Sequence, residues 1–196
     1  IERPEILIAG DKEQSEIIDL EMKSHCNQIP AFIDLDFIKG SGGATAGNLN
    51  GNGYYICIYK QCNLYQGNQK TAQVELLYSR RWSSSAYFQN SIYLIGGGNS
   101  KGTAERIDLN TTVSTLIEEP WEHTYHHCLV VFDNMLWKVG GELGNWKGLK
   151  STWIHQSSTW FKGPTMNSGR RGHSCGVIES QNTLVIAGGY NENGKI

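Results

Sequence analysis

Several features that would point to a function are missing from this sequence of 196 residues. It has no run of about eighteen apolar residues, so this segment is not expected to insert into a membrane. Its 17 basic and 19 acidic residues give a formal charge of -2 and form no long block of one sign, which disfavours nucleic acid as a partner. No segment repeats its apolar residues with helical periodicity, and little helix is therefore expected.

Catalytic motifs are missing as well. Neither a Gly-x-Ser-x-Gly nucleophile motif nor a His-Glu-x-x-His zinc motif occurs. Asp34 and Asp36 could bind a cation or work as acid and base, although an exposed turn explains them as well. His123, His126 and His127 resemble a metal cluster, but consecutive residues of a strand point to opposite faces. The sequence therefore predicts no enzyme activity, no cofactor and no metal site.

Glycine and aromatic residues, by contrast, are abundant. The chain has 23 glycines, and 10% of its residues are aromatic, a composition that favours many turns and aromatic strands, and hence an all-β protein. A short apolar strand that ends in two glycines recurs at Ile92–Gly97, Leu136–Gly141 and Leu184–Gly189. Eroded copies lie at Ile6–Asp11 and Tyr54–Tyr59. The pairs follow one another at about the 40 to 50 residues expected for propeller blades.

Each glycine pair is embedded in a pattern of four short strands. One strand and a tight turn precede the glycine-ended strand, and two further strands follow it, as in a β-propeller blade. We therefore predict an all-β fold, a partial β-propeller of four-stranded antiparallel blades. All of residues 1–196 are expected to belong to one propeller, with complete blades near 39–78, 79–122 and 123–168 and partial blades at 1–38 and 169–196. Since a propeller typically has about four to eight blades, the chain is expected to be an excerpt.

The repeats resemble those of the kelch family. The sequence Arg170-Arg171-Gly172-His173 before a first strand, the pair Gly188-Gly189, and Gly140-Gly141 followed by Trp153 and Trp160 match parts of the kelch pattern. The lead Arg80-Arg81-Trp82 has the basic residues but no histidine. The resemblance covers nearly the whole chain, and it implies a non-catalytic scaffold whose loops bind protein or peptide partners.

The paired glycines are interpreted as structural. Glycine is needed where φ is positive or where a neighbouring backbone comes too close for a Cβ atom, and both conditions arise where the second strand of a blade ends beside the next blade. No helix is predicted after any pair, so a phosphate-binding loop is not expected. The structural glycines are Gly96, Gly97, Gly140, Gly141, Gly188 and Gly189.

The basic residues that lead into the first strands are candidates for partner binding. They are Arg80, Arg81, Arg170, Arg171 and His173. In kelch propellers this face commonly receives partner peptides, and guanidinium groups suit acidic or phosphorylated ligands. The alternative is that one arginine of each pair packs between blades and satisfies buried carbonyl groups.

The five cysteines and one sequon bear on the cellular compartment. Cys57 and Cys62 would face each other if the chain turns between them, and their disulfide would be similar to those in kelch-like repeats of extracellular animal proteins. Cys128 and Cys175 occupy equivalent places in successive first strands, where buried thiols are expected rather than a bridge; Cys26 has no evident partner. Asn110-Thr111-Thr112 is a potential N-glycosylation sequon in a turn. These features favour an extracellular or cell-surface protein.

Three alternatives to the protein-binding scaffold remain open. The same fold serves as the substrate adaptor of cullin ubiquitin ligases, which would need further domains upstream. Copper enzymes similar to galactose oxidase also use a kelch-like propeller, but their tyrosine–cysteine pair and converging histidines cannot be recognised in this sequence. Sugar binding through Trp146, Trp153 or Trp160 would rest on aromatic abundance alone, and core packing is the commoner role of such residues.

Overall fold

The computed structural model describes residues 5–9, 15–19, 27–28, 43–51 and 53–195. Within these residues every regular element is a β-strand, apart from one 3-10 turn at Glu179–Gln181. All strand pairs are antiparallel and no sheet closes into a barrel. The all-β prediction is therefore confirmed. Gly10, Cys26, Asp34 and Asp36 lie outside the described residues.

The N-terminal sheet has three strands, in the order in which they occur in the chain. They are β1 (Glu5–Ala9), β2 (Ser15–Asp19) and β3 (Asn27–Gln28). β1 pairs with β2, and β2 with β3. This is the arrangement expected for strands two to four of a partial blade.

The first complete blade is formed by β4 (Ala44–Asn48), β5 (Gly53–Gln66) and β6 (Gln69–Arg80). The backbone of β5 doubles back on itself, because the Cα atoms of Cys57 and Cys62 are 4.0 Å apart, whereas five extended residues would separate them by about 17 Å. Tyr59 lies at this turn with φ of +52°. The blade thus has four extended segments, and the sulfur atoms of Cys57 and Cys62 lie at disulfide distance, in agreement with the sequence expectation.

The next two blades each contain four antiparallel strands. The second blade consists of β7 (Ser84–Phe88), β8 (Ser91–Ile95), β9 (Ala104–Asp108) and β10 (Val113–Ile117). The third consists of β11 (Cys128–Phe132), β12 (Met135–Val139), β13 (Thr152–Gln156) and β14 (Thr159–Lys162). Hairpin turns with positive φ at Gln89, Asn90, Asp133 and Asn134 join their first two strands, as Asn and Asp in tight turns predict.

The C-terminal part contains two small sheets. β15 (Ser174–Ile178) pairs with β16 (Thr183–Ala187), and β17 (Tyr190–Asn191) with β18 (Gly194–Lys195). The first of these sheets supplies strands one and two of a further, partial blade. The short β17–β18 hairpin has no counterpart in the sequence prediction.

The first strands of successive blades lie next to each other. β4 contacts β7, β7 contacts β11, and β11 contacts β15. Between the first two blades the core contains Tyr55, Leu76, Ile92, Leu94 and Ile107, all of which are almost fully buried. Burying each of these large side chains stabilises the fold by about 1.5–3 kcal/mol, so the packing of one blade on the next contributes to the stability of this region.

The first two glycine pairs lie where one blade meets the next. Gly140 has φ of +57°, and a Cβ atom on it would come within 2.6 Å of the Arg170 carbonyl oxygen of the following blade. The amide of Gly141 donates a hydrogen bond of 2.8 Å to the same oxygen, and all six paired glycines have positive φ. Both conditions anticipated from the sequence, positive φ and close approach of a neighbouring blade, are thus present at Gly140.

The prediction of two separate thiols at Cys128 and Cys175 is wrong. Their sulfur atoms lie at disulfide distance, and their Cα atoms are 6.1 Å apart, which is within the usual range for a bridge. The reason is the packing of β11 directly against β15. Equivalent positions in successive first strands are therefore spatial neighbours, although 47 residues separate them in the chain.

Candidate functional site: an arginine–aromatic rim

The candidate site lies on the edge of the blades where the glycine pairs occur. We call this edge the glycine face. Because the strands alternate in direction, the loops after the glycine pairs and the segments that lead from one blade to the next all reach this same edge. The turns at residues 89–90 and 109–112 lie at the opposite edge.

Hydrogen bonds between blades hold the lead-in segments in line on the glycine face. The amide of His126 donates to the carbonyl oxygen of Trp82 at 3.1 Å, and the amide of Gly172 donates to that of His126 at 2.8 Å. All three residues have positive φ, between +52° and +58°. The chain therefore presents an equivalent position of three successive blades in one continuous line.

Seven side chains along this line form two groups of stacked contacts, the pair Tyr59–Arg81 and a series that begins at the next residue, Trp82; together we call them the arginine–aromatic rim. Its members are Tyr59, Arg81, Trp82, His126, Trp146, Arg171 and Tyr190. Trp82, Trp146 and Tyr190 are 44%, 65% and 40% exposed. Large aromatic side chains exposed to this extent and grouped together are typical of interaction surfaces.

Arg81 lies at one end of the rim. Its guanidinium carbon is 4.9 Å from the centre of the Tyr59 ring, and Nη2 is 3.4 Å from the Tyr59 hydroxyl oxygen. Stacking on a ring face of this kind orients a guanidinium while its edge continues to point towards solvent. Arg81 is exposed, so its remaining N–H groups are accessible to a ligand.

Arg171 lies at the other end, between two aromatic rings. Its guanidinium carbon is 4.8 Å from the centre of the Trp146 ring and 5.2 Å from that of Tyr190. Nε donates a hydrogen bond of 2.9 Å to the Trp146 carbonyl oxygen. The position of this guanidinium is thus fixed before any ligand arrives, and its Nη groups make no other hydrogen bond to the described residues.

The middle of the rim is held from beneath by a buried carboxylate. Glu142 accepts hydrogen bonds from the amide of Trp146, at 2.6 Å, and its Oε1 is 2.8 Å from His126 Nδ1. The His126 ring in turn lies 5.3 Å from Trp82 and 6.4 Å from Trp146, measured between ring centres. Glu142 is 3% exposed, so it positions the rim without being part of its surface.

The two arginines of each pair lie in different surroundings, and this bears on the two roles considered from the sequence, partner binding and packing between blades. Arg80 is buried: it forms an ion pair with Glu105 at 2.9 Å and donates to the carbonyl oxygen of Gly96 at 3.0 Å. Arg170 donates to the carbonyl oxygen of Gly188 at 2.7 Å. The first arginine of each pair thus binds the first glycine of the blade that follows it in the chain. Only Arg81 and Arg171 reach the rim, and Arg80 is not available to a partner in this structure.

His173 is also turned inward, which removes it from the candidate partner-binding residues. It is 8% exposed, and neither ring nitrogen has a hydrogen-bond partner. Burial, together with the nearby Arg170, lowers the pKa of His173 to about 4. His127 occupies the equivalent place in the third blade, and burial holds its pKa well below the usual value. Both rings pack against the first glycine of the preceding pair.

The rim carries uncompensated positive charge. Neither Arg81 nor Arg171 pairs with a carboxylate of the described part of the chain; the carboxylate closest to the middle of the rim, Glu142, is already hydrogen-bonded to His126 and Trp146. Across residues 43–51 and 53–194, no cluster of three or more ligand-type side chains is placed to hold a metal ion. No helix of the described residues is long and apolar enough to cross a membrane.

Sequence reasoning located Arg81 and Arg171 but missed most of their partners. Trp82 and His126 follow each other at the same offset before a first strand, and this offset was the available signal. Tyr59 and Tyr190 gave no signal, because they are remote in sequence from the arginines on which they stack.

Four-stranded antiparallel blades that meet at glycine pairs define this chain as part of a β-propeller. No family model matches the sequence. Alpha-scruin of Limulus polyphemus, a kelch-repeat protein, is 28% identical over 123 residues, which cover 57% of this chain and 12% of alpha-scruin. This similarity supports kelch-type repeats, and the chain spans only a small part of that relative.

Proposed function

We propose that this chain is a segment of a single kelch-type propeller that acts as a non-catalytic protein-binding scaffold, and that its arginine–aromatic rim binds a negatively charged peptide segment of the partner. The observation that carries the proposal is the pair of preorganised, uncompensated guanidinium groups of Arg81 and Arg171, which flank the exposed rings of Trp82 and Trp146. The similarity to a kelch-repeat protein supports the same reading.

The chemistry of the rim selects this ligand class. A guanidinium whose faces are covered by rings offers its N–H edge, and this edge matches the two oxygens of a carboxylate or phosphate group. The exposed rings between the two arginines offer apolar area to the peptide backbone and side chains. The proposed partner is therefore a peptide with two anionic side chains flanking an apolar stretch.

The test is fluorescence anisotropy with short labelled peptides in which two glutamates are set at different spacings. Matched peptides carry glutamine or phosphoserine at the same positions. We expect the best glutamate peptide to bind at least about tenfold more tightly than its glutamine analogue, the equivalent of about 1.4 kcal/mol. Comparing the affinities of the phosphoserine and glutamate peptides shows which anion the rim prefers.

Charge reversal on the protein completes this test. Arg81→Glu and Arg171→Glu should each weaken binding about tenfold or more, whereas Lys70→Glu, an exposed cation of the β5–β6 hairpin that contacts Gln73, should leave it unchanged. If Lys70→Glu lowers the peptide affinity as much as the arginine variants do, the peptide is attracted by the general charge of the protein and not bound at a specific site. Equal binding of glutamate and glutamine peptides would contradict the proposal outright.

A further inference from the structure

The two cysteine pairs differ in how accessible they are to an attacking thiolate. Cys57 and Cys62 are 3% and 0% exposed and lie inside the core between the first two blades. Cys128 and Cys175 are both partly exposed, on neighbouring first strands close to the glycine face. Because thiol–disulfide exchange requires a thiolate to reach one of the sulfur atoms, access decides which disulfide reacts first.

The second pair is also the covalent link between the β15–β16 hairpin and the preceding blade. β15 packs against β11 of the third blade, and β16 pairs with β15. The hydrogen bonds that join this region to the third blade lie in its lead-in, such as that from the Gly172 amide to the His126 carbonyl. Cys175 therefore ties β15 covalently to β11 of the preceding blade.

We propose that Cys128–Cys175 is a thiol–disulfide exchange site, opened selectively by a dithiol reductant, and that its reduction loosens the β15–β16 hairpin. A thiolate of the dithiol attacks one cysteine sulfur, the protein S–S bond breaks, and the other cysteine leaves as a thiolate that takes up a proton. The second thiol of the reagent then displaces the first cysteine. The products are two protein thiols and the oxidised, cyclic disulfide of the reagent, so atoms and electrons balance.

Differential alkylation tests the selectivity. The purified full-length protein is treated under native conditions with limiting dithiothreitol, alkylated at successive times and analysed by peptide mass spectrometry. We expect Cys128 and Cys175 to be labelled at least about tenfold faster than Cys57 and Cys62, because only the first pair is exposed to the reagent. Equal rates, faster labelling of Cys57 and Cys62, or free thiols at Cys128 and Cys175 before reduction would overturn the proposal. Cys26→Ser provides the control for exchange with the fifth cysteine.

Amide hydrogen exchange tests the structural consequence. After selective reduction, exchange should rise in Ser174–Ala187 and stay unchanged in Gly53–Gln66. The Cys128→Ser/Cys175→Ser double variant should show the same raised exchange in that hairpin without reductant, and it should no longer respond to dithiothreitol. Unchanged exchange in the hairpin after complete reduction of the pair would refute the loosening, whether or not the rim binds peptides.

Discussion

At the scale of single residues, the two arginines of each Arg-Arg pair differ in what surrounds them rather than in their chemistry. Arg80 is surrounded by Glu105 and backbone oxygens inside the protein, and burial lowers its pKa while the adjacent carboxylate opposes that shift. Arg81, the next residue, lies on a tyrosine ring in solvent. One step along an extended backbone turns a side chain to the other face, so a doubled arginine supplies one structural and one surface cation.

Buried histidines predict that the protein loses stability in acid. His127 and His173 are neutral in the folded protein, because burial holds both pKa values below the usual range. The unfolded chain takes up these protons below about pH 6.5, so the free energy of unfolding should fall with decreasing pH by about 1.4 kcal/mol per pH unit for each histidine. Urea unfolding between about pH 7.5 and pH 5 measures this slope.

Removing one of these histidines should reduce that slope. In His173→Gln the pH dependence between about pH 6.5 and pH 4 should be smaller by up to about 1.4 kcal/mol per unit, the limit reached midway between the unfolded and folded pKa values, whatever the stability of the variant at neutral pH. An unchanged slope would mean that His173 is solvated in both states. The comparison uses slopes, so it tolerates a variant that is less stable overall.

At the scale of elements, Glu105 acts as a clamp between two blades. It lies on β9, and its carboxylate accepts hydrogen bonds from the amides of Leu77 and Tyr78 on β6, at 2.7 and 3.2 Å, as well as from Arg80. It also accepts a hydrogen bond of 2.7 Å from the Ser114 hydroxyl on β10. One buried side chain thus connects the last strand of the first blade to the two outer strands of the second.

Glu105→Gln should therefore destabilise the protein by about 3–5 kcal/mol, since it leaves the buried Arg80 without a counter-charge. Glu75→Gln is the matched control, because Glu75 pairs with Lys60 at 2.9 Å on the surface, where an ion pair contributes about 0–1 kcal/mol. Denaturant unfolding of both variants gives the comparison. If the free energy of unfolding falls by a similar amount in both variants, Glu105 contributes no more to stability than a surface ion pair does.

Most elements could be predicted from the sequence, because each strand was marked locally. The glycine pairs end β8, β12 and β16, and Asn or Asp turns precede them, so the hairpins of the second and third blades agree with prediction. The turn inside β5 was anticipated from the spacing of Cys57 and Cys62. The Cys128–Cys175 pair could not be found in this way, because it depends on which strands become neighbours in space, and local pattern carries no such information.

At the scale of the whole molecule, the rim is assembled from three blades and the C-terminal β17–β18 hairpin. Trp146 connects its halves, since it lies against His126 on one side and Arg171 on the other. Trp146→Ala should lower the affinity for the best two-glutamate peptide about tenfold or more, because a large aromatic contact is lost and Arg171 loses the ring that orients it. The measurement is the same anisotropy titration.

Trp121→Ala is the control for this prediction. Trp121 is 94% exposed and precedes β11 at the same glycine face, but it makes no ring contact with the rim. Its removal should leave peptide affinity unchanged. If Trp121→Ala weakens peptide binding as much as Trp146→Ala does, the binding surface lies elsewhere on that face.

The sequon Asn110-Thr111-Thr112 lies in the turn between β9 and β10, at the edge of the blade away from the rim. Asn110 is exposed, and its side-chain oxygen accepts a hydrogen bond of 3.0 Å from the side-chain nitrogen, Nδ2, of Asn90 in the neighbouring turn. A five-residue strand separates the two edges by about 17 Å. A bulky group anchored at Asn110 would thus coat the far side of the blade, and a tether placed there would hold the protein to a surface with the arginine–aromatic rim facing outward.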